Sequence, residues 1–157
     1  MARSSTQPSA ERAASGVATA GPIVPVSGAS PAETGGACPR TGLWAECSVE
    51  KRLTQTGFVV QRVDGTPARR PGFSVVPRVY NLGKSRLEVF IYPSESAVRA
   101  DIEKLDTLAA APRGTKGQWP IPPTFVRSAN LTAVFLTDNP TQAERLTLAL
   151  TAGAPQP

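Results

Sequence analysis

Few residues of this chain could carry out chemistry, because no histidine occurs among its 157 residues. Histidine is the usual general base near neutral pH, the commonest metal ligand, and the base of a Ser or Cys catalytic triad. Lysine, tyrosine, cysteine and the two acidic residues are still present. The composition therefore favours a binding or structural protein over an enzyme. We predict no catalytic residue, no metal site and no cofactor.

Two cysteines, Cys38 and Cys47, stand nine positions apart, without any spacing typical of a metal site. They can form a disulfide in an oxidising compartment. Alternatively, Cys38 is a lipid attachment site. The segment from Gly35 to Cys38 ends as bacterial lipoprotein processing sites do, with a small residue before the cysteine. The large aliphatic residue of such sites is replaced here by Gly35.

A loop rich in proline carries the best candidate for partner binding. It runs Trp119-Pro-Ile-Pro-Pro123, and the predicted contact residues are Trp119, Ile121, Pro122 and Pro123. Tandem prolines hold an extended backbone and would present Trp119 rigidly. A rigid aromatic beside an aliphatic residue is typical of an anchor at a protein interface. In the alternative interpretation, Trp119 folds back over the core as a lid.

Positive charge is concentrated between residues 62 and 86, in a chain whose net charge is +5. The stretch has one acid, Asp64, and six basic residues: Arg62, Arg69, Arg70, Arg78, Lys84 and Arg86. Such a stretch can bind nucleic acid or another anionic polymer, with an affinity that falls steeply as salt rises. Alternatively, the charges protect the edge of a sheet from pairing with another chain.

Composition divides the chain into three parts. Residues 1–42 are rich in Pro, Ala, Ser and Gly and contain no Phe, Tyr, Trp or Leu. Such a segment buries too little apolar surface to offset the entropy of ordering, so we predict a disordered arm. Residues 43–152 form one domain, and residues 153–157 a disordered tail. No run of 18 apolar residues occurs, which predicts no transmembrane segment.

Hydrophobic periodicity and turn signals predict the elements of the domain. Ser94 and Asn139 are expected as helix N-caps, with Pro140 at the first helical position. Tight hairpins are expected at 81–85 and near Ala129-Asn130. The predicted helices are 45–56, 95–109 and one from 140 onward, and the predicted strands are 58–63, 73–82, 86–92, 124–128 and 131–137. This order predicts a two-layer α+β domain with a mainly antiparallel sheet of about four or five strands and about three helices.

Several segments resemble a family of small uncharacterised bacterial lipoproteins. The segment Leu87-Glu-Val-Phe-Ile-Tyr-Pro-Ser94 is similar to their VFEYPS-type strand-to-helix signature. The later likeness lies at Gly117, Trp119, Pro122, Pro123 and Phe125, and in the strand from Asn130 to Asp138. The resemblance spans residues 49–150 and implies an α+β domain of the cell envelope without an implied activity. This chain departs from the family in its processing site and in lacking a histidine near Pro122-Pro123.

Together these observations predict a non-enzymatic domain of the cell envelope, lipoprotein-like or secreted, that acts by binding or as a structural element. Its partner is unknown and would be an envelope protein or an anionic polymer. Binding of an anionic polymer through residues 62–86 is the alternative function, and a small enzyme without histidine is the second alternative. The alternative location is the cytoplasm.

Overall fold

An antiparallel sheet of five strands forms the centre of the fold. The computed structural model describes residues 37–155. Its elements are the helices α1 (Glu46–Gln55), α2 (Glu95–Ile102) and α3 (Pro140–Thr151), and the strands β1 (Val60–Arg62), β2 (Arg78–Leu82), β3 (Ser85–Ile91), β4 (Leu105–Asp106), β5 (Ala111–Pro112), β6 (Thr124–Ser128) and β7 (Leu131–Leu136). The sheet has the order β1-β2-β3-β7-β6, and β4 pairs with β5 in a separate ribbon. This confirms the predicted α+β architecture with three helices and a mainly antiparallel sheet.

Both faces of the sheet are covered, because apolar side chains point to alternate sides along β3. Leu87 and Val89 pack with buried residues of α1 and α3, and we call this side the α1–α3 face. Phe90 and Tyr92 pack on the opposite side with Val98 of α2 and with the ribbon, and we call this side the α2 face. A helix and the ribbon therefore cover this second side of the sheet.

Two tight hairpins set the strand register, as the sequence predicted. Gly83 and Lys84 join β2 to β3, and Gly83 has a φ of 65°, a conformation that glycine adopts without steric cost. Ala129 and Asn130 join β6 to β7. Ala129 has a φ of 47°, which is uncommon for a residue with a side chain.

Side-chain caps begin two of the helices at the predicted residues. The Ser94 hydroxyl accepts a hydrogen bond from the backbone N–H of Ala97 at the start of α2. The Asn139 side chain accepts from Thr141 and Gln142 at the start of α3. These oxygens satisfy N–H groups that have no partner inside a helix, so the caps define where each helix begins.

The predicted helix over 95–109 is wrong in its second half, because α2 ends at Ile102. Leu105 leaves the helical path and enters the core of the α2 face. The Asp106 side chain then accepts hydrogen bonds from the backbone N–H groups of Leu108 and Ala109, which stabilises a turn. Leu108, placed by periodicity on the buried side of a helix, is 87% exposed.

The predicted strand over 73–82 is also too long, since β2 begins at Arg78. Phe73 instead stacks on Phe90, with ring centroids 3.9 Å apart. The N–H of Ser74 donates to the Asp101 carboxylate at 2.6 Å. This N–H group is therefore not available to pair with a neighbouring strand. The strand predicted over 58–63 is likewise shorter, at Val60–Arg62.

Part of the segment assigned to the arm belongs to the folded unit. Residues 1–36 of the predicted disordered arm and the last two residues of the predicted tail lie outside the described residues. Residues 37–42 lead into α1, and Cys38 among them is buried. Within residues 37–155, no helix has the length and apolar character needed to cross a membrane.

Candidate binding site around Trp119

The indole of Trp119 lies against the core of the α2 face rather than projecting from it. Its Nε1 donates a hydrogen bond to the backbone oxygen of Ala110 at 3.1 Å, and the half-buried ring packs on the core beside Ile121. The loop therefore adopts the second of the two predicted arrangements, in which Trp119 closes over the core. One side of the ring still borders a cavity.

Two glycines hold the walls of this cavity together. A Cβ added to Gly117 would lie 2.7 Å from the backbone oxygen of Ala109, so only glycine permits this approach. Gly72 has a φ of +88°, and a Cβ there would lie 3.2 Å from Pro112 in the ribbon. The loop containing Trp119 thus approaches the backbone of Ala109, and the loop containing Arg70 approaches side chains of the ribbon, at distances that leave little room for a Cβ.

The guanidinium of Arg70 links Trp119 to the centre of the sheet. Its Cζ lies 4.6 Å from the centroid of the Trp119 ring, within the range of a cation–π interaction. Its Nε donates to Glu88 Oε2 at 2.8 Å, and its Nη2 donates to Oε1. The side chain of Glu88, at the middle of β3, is 1% exposed. Hydrogen bonding to Glu88 raises the pKa of Arg70, so this guanidinium stays protonated.

A second arginine completes the ion pair. Arg86 Nε donates to the same Oε1 of Glu88 at 3.1 Å. One buried carboxylate is therefore shared by two cations whose side chains reach toward solvent. Such an arrangement restrains both guanidinium groups, because the buried carboxylate loses part of its charge compensation when either arginine moves away.

The cavity beside Trp119 has a volume of about 140 Å³. Its charged lining residues are Arg70 and Lys116, and no acidic side chain lines it. The complete lining consists of Arg70, Pro71, Ala110, Ala111, Pro112, Thr115, Lys116, Gln118 and Trp119. A cavity of this size accommodates a single six-membered ring or a group of similar volume. The site therefore combines apolar walls with positive charge.

The lining residues offer binding groups rather than a set of acid–base partners. The Thr115 hydroxyl donates to the backbone oxygen of Pro112 at 2.6 Å, so its proton is engaged. On the same face, burial raises the pKa of Tyr92 above its usual 10.0, and the nearby Asp101 carboxylate raises it further. The Tyr92 hydroxyl is therefore neutral near pH 7. Within residues 37–155, no three His, Cys, Asp or Glu side chains could hold a metal ion together.

The predicted proline-rich anchor is divided between two sites. Trp119 borders the cavity, whereas Pro123 lines a separate groove together with Phe125 and Arg127. Ile121 packs on the α2-face core, and Pro122 is exposed. The four residues therefore divide between the cavity wall, the α2-face core, an exposed position and the separate groove.

The predicted basic stretch is divided between the two faces of the sheet. Arg70 and Arg86 meet at Glu88 on the α2 face. Arg62 and Arg78 lie on the α1–α3 face, where Arg62 pairs with Glu50 at 2.7 Å and Arg78 pairs with Glu46.

The two other basic residues of the stretch are free of these ion pairs. Arg69 donates to the backbone oxygen of Ser74 at 3.3 Å, and Lys84 is exposed in the turn between β2 and β3. The stretch therefore does not present six unpaired charges on one surface.

Cys38 and Cys47 form a disulfide between the segment before α1 and the first turn of that helix. Their Cα atoms are 5.9 Å apart, a usual separation for a bridged pair. Of the two predicted uses of these cysteines, a disulfide or a lipid attachment, the structure has the disulfide.

Sequence reasoning missed Lys116 and Glu88 as members of the site. Lys116 precedes a loop glycine, Gly117, and has no local signal. Glu88 did have one, since it is a lone acid in the apolar run from Leu87 to Tyr92. A charge at an inward position of a central strand indicates a buried partner of opposite charge. Arg70 could have been inferred as a candidate for that partner, although two loops separate the pair in the chain.

Comparison with known proteins returned no match for this chain among protein-family models, curated protein sequences or solved structures.

Proposed function

We propose that this chain is a non-enzymatic binding domain of the cell envelope. In this proposal, the cavity beside Trp119 holds the anionic end of a small ligand or of a partner's side chain. The observation that carries the proposal is a connected set of contacts beside the cavity. Arg70 lies over the ring of Trp119 and donates to the buried Glu88, and the cavity is lined by two cations and by no acid. The cavity is lined by two cations and by apolar and neutral polar groups, and binding is the activity that we infer for them.

Rigidity of the site favours binding. Arg70 is held by two hydrogen bonds to Glu88, and its guanidinium lies over the ring of Trp119. A ligand therefore meets side chains that are already ordered, which lowers the entropy lost on binding. The charges of Arg70, Arg86 and Lys116 outweigh the single negative charge of Glu88, which leaves two positive charges near the cavity. This balance attracts an anionic group.

The proposed location rests on the disulfide and on the resemblance to envelope lipoproteins. Disulfides persist in oxidising compartments such as the bacterial periplasm, and they are rare in the cytosol. A sulfur atom in a disulfide cannot also carry a lipid thioether. We expect the protein from its native source to be found in the envelope or secreted fraction. Its intact mass should be lower than that of the reduced chain by two hydrogens. Cytosolic fractionation with two free thiols would contradict this location.

We expect benzoate to bind in the cavity and to shift the indole N–H signal of Trp119. Its ring matches the cavity volume, and its carboxylate can reach Lys116 and Arg70. The chain has two tryptophans and therefore two indole signals, so the buried Trp44 provides an internal reference. The measurement is a titration followed by ¹⁵N-resolved NMR, and a fragment of this size should bind with a Kd of roughly millimolar.

Two controls separate charge recognition from unspecific effects. Benzamide has the same ring without the charge and should shift the Trp119 signal far less. Lys116→Gln should weaken benzoate binding, whereas Lys84→Gln, a change of the same kind at an exposed turn outside the cavity, should leave it unchanged. Equal shifts with benzoate and benzamide, or no shift with either, would refute the proposed site.

Binding of an anionic polymer is a second candidate function, with narrower support. Within residues 37–155, Lys84 in its exposed turn forms no ion pair and Arg69 donates to a backbone oxygen, so these two charges are available at the surface. The other four are distributed over two faces in pairs with Glu46, Glu50 and Glu88. A polymer would therefore contact few unpaired cations at once, which favours the cavity as the binding site.

A further inference from the structure

The outer edge of β6 carries backbone groups that have no strand beside them. β6 is the last strand of the sheet, and β7 is its neighbour on the inner side. The N–H of Tyr92 donates to the backbone oxygen of Asn130, which sets the alternation along β7. Every second residue of β7 from Asn130 onward bonds toward β3, and the intervening residues bond toward β6. The β7 partners of Phe125 and Arg127 belong to the set that bonds β3.

The backbone N–H and C=O groups of Phe125 and Arg127 therefore point away from the sheet. Within residues 37–155, these groups form no hydrogen bond, because the pairing of β6 with β7 uses the backbone groups of the alternate residues. The opposite edge, β1, has only three residues and carries the ion-paired Arg62. An open edge of five residues is a template for one more strand, which can add its backbone hydrogen bonds to the sheet.

A groove with both apolar and polar lining residues lies on the α2 face beside this edge. It is lined by Ile102, Thr107, Leu108, Pro123, Phe125 and Arg127. Leu108 is 87% exposed at the groove, on the turn that the Asp106 side chain holds. The side chains of Phe125 and Arg127 are two residues apart in β6, so both point toward this groove. The edge therefore offers backbone hydrogen bonds and a site for side chains of the added strand.

Arg127 gives the groove a single, positive charge. It is the only charged residue in the lining, and it makes no ion pair with any residue that the structure describes. An incoming strand that places an acid opposite Arg127 and an apolar residue opposite Phe125 satisfies both positions. In a strand, these two side chains must be two residues apart to share a face.

We propose that β6 is a docking edge for an extended segment of a partner protein, which pairs as a sixth strand and carries an apolar residue and an acid two positions apart. A second copy of this chain fits less well. Symmetric pairing of two β6 edges about Val126 places each Arg127 opposite the Phe125 of the other copy, so neither arginine gains an acid. A strand of five residues also buries far less than the roughly 1,000 Å² typical of stable dimers.

The test uses the full chain and two synthetic peptides. The first is the blocked heptapeptide Thr-Thr-Glu-Thr-Val-Thr-Thr, whose order places Glu opposite Arg127 and Val opposite Phe125 in antiparallel pairing, and the second has Lys in place of Glu. We expect the first to bind and to slow hydrogen exchange at the amides of Phe125 and Arg127, because these amides become hydrogen bonded. The Lys peptide should bind at least about fivefold more weakly, since it places like charges together. Equal binding of both peptides, or of neither, would overturn the proposal.

Substitutions at Arg127 separate strand pairing from a side-chain contact. Arg127→Gln removes the charge and should weaken binding by about two- to fivefold, as expected for an exposed pair. Arg127→Pro also removes the outward N–H, and proline is tolerated at an edge position whose N–H faces solvent. It should weaken binding by a further factor of roughly ten. If Arg127→Pro bound as well as Arg127→Gln, no strand would be added and the proposal would fail.

Exposed leucines provide a test that does not depend on the folding of the proline variant. Leu108→Thr should weaken peptide binding, whereas Leu148→Thr should not, since Leu148 is 60% exposed on α3 and lines a different groove. Slow exchange at Phe125 and Arg127 in the protein alone, together with a doubled mass in solution, would show a second copy as the occupant and overturn the partner assignment. The cavity beside Trp119 is separate, so either proposal can fail alone.

Discussion

Replacing Arg70 by methionine is expected to lower the free energy of unfolding by about 3 kcal/mol at neutral pH. Met is similar in length to the apolar part of Arg and preserves much of its packing. The change leaves the carboxylate of Glu88, whose side chain is 1% exposed, with Arg86 as its remaining ion-pair partner. The cost arises from the buried charge that has lost two hydrogen bonds, in addition to the lost contact with Trp119.

The double substitution Arg70→Met with Glu88→Met distinguishes the charge from the shape of the site. Removing both charges replaces a partly buried ion pair by apolar side chains, which is often neutral or stabilising. We expect most of the stability lost in the single variant to return, to within about 1 kcal/mol of the unmodified protein. Urea unfolding followed by circular dichroism measures all three free energies.

A matched control comes from the α1–α3 face. Arg62 pairs with Glu50, but these two side chains are 41% and 34% exposed, so water solvates both. Arg62→Met should therefore cost less than about 1 kcal/mol. If Arg62→Met and Arg70→Met were equally destabilising, burial of Glu88 would not be the reason for the loss. A double variant as unstable as Arg70→Met alone would lead to the same conclusion.

Local signals were sufficient to predict the hairpins and the helix starts. The turn at Gly83 and the caps at Ser94 and Asn139 depend on residues within a few positions of each other. Chemistry of this kind is readable from a sequence because the interacting groups are neighbours in the chain. The order of elements, and with it the fold class, followed from these signals.

Long-range contacts decided the places where the sequence misled. Helical periodicity continued past Ile102, but the position of Leu105 in the α2-face core ended the helix. Phe73 has a side chain typical of strands, yet it stacks on Phe90 instead of joining the sheet. In both cases burial of a large apolar side chain outweighed local preference, and burial depends on residues distant in the chain.

The candidate site shows the same limit. The sequence identified Trp119 and Arg70 separately, one as an aromatic anchor and the other as part of a basic stretch. Only the fold brings them together and joins them to Glu88. Arg70 and Glu88 are 18 positions apart and Trp119 lies farther along the chain, so their contacts depend on the tertiary fold. No spacing rule in the sequence predicts such contacts.

Asn130 is expected to be the other position where a single substitution has a large effect. Its side-chain oxygen accepts from the backbone N–H of Trp44 at 2.6 Å, and its Nδ2 donates to the backbone oxygens of Trp44 and Tyr92. These bonds are buried and join the segment before α1 to the β6–β7 turn. Asn130→Leu preserves volume but leaves the two Trp44 groups without partners. We expect a loss of about 3 kcal/mol, at roughly 1–3 kcal/mol for each unsatisfied group.

Asn139→Ala is a graded control for this prediction. Asn139 also accepts two backbone hydrogen bonds, but it lies at the exposed start of α3, where water can replace its oxygen. Loss of that cap should cost about 1 kcal/mol. Asn130→Leu should in addition speed hydrogen exchange at the Trp44 amide, whereas Asn139→Ala should not. Equal costs for the two substitutions, or an unchanged Trp44 amide in Asn130→Leu, would mean that the β6–β7 turn does not hold the segment before α1, since only a buried orphaned group carries the larger penalty.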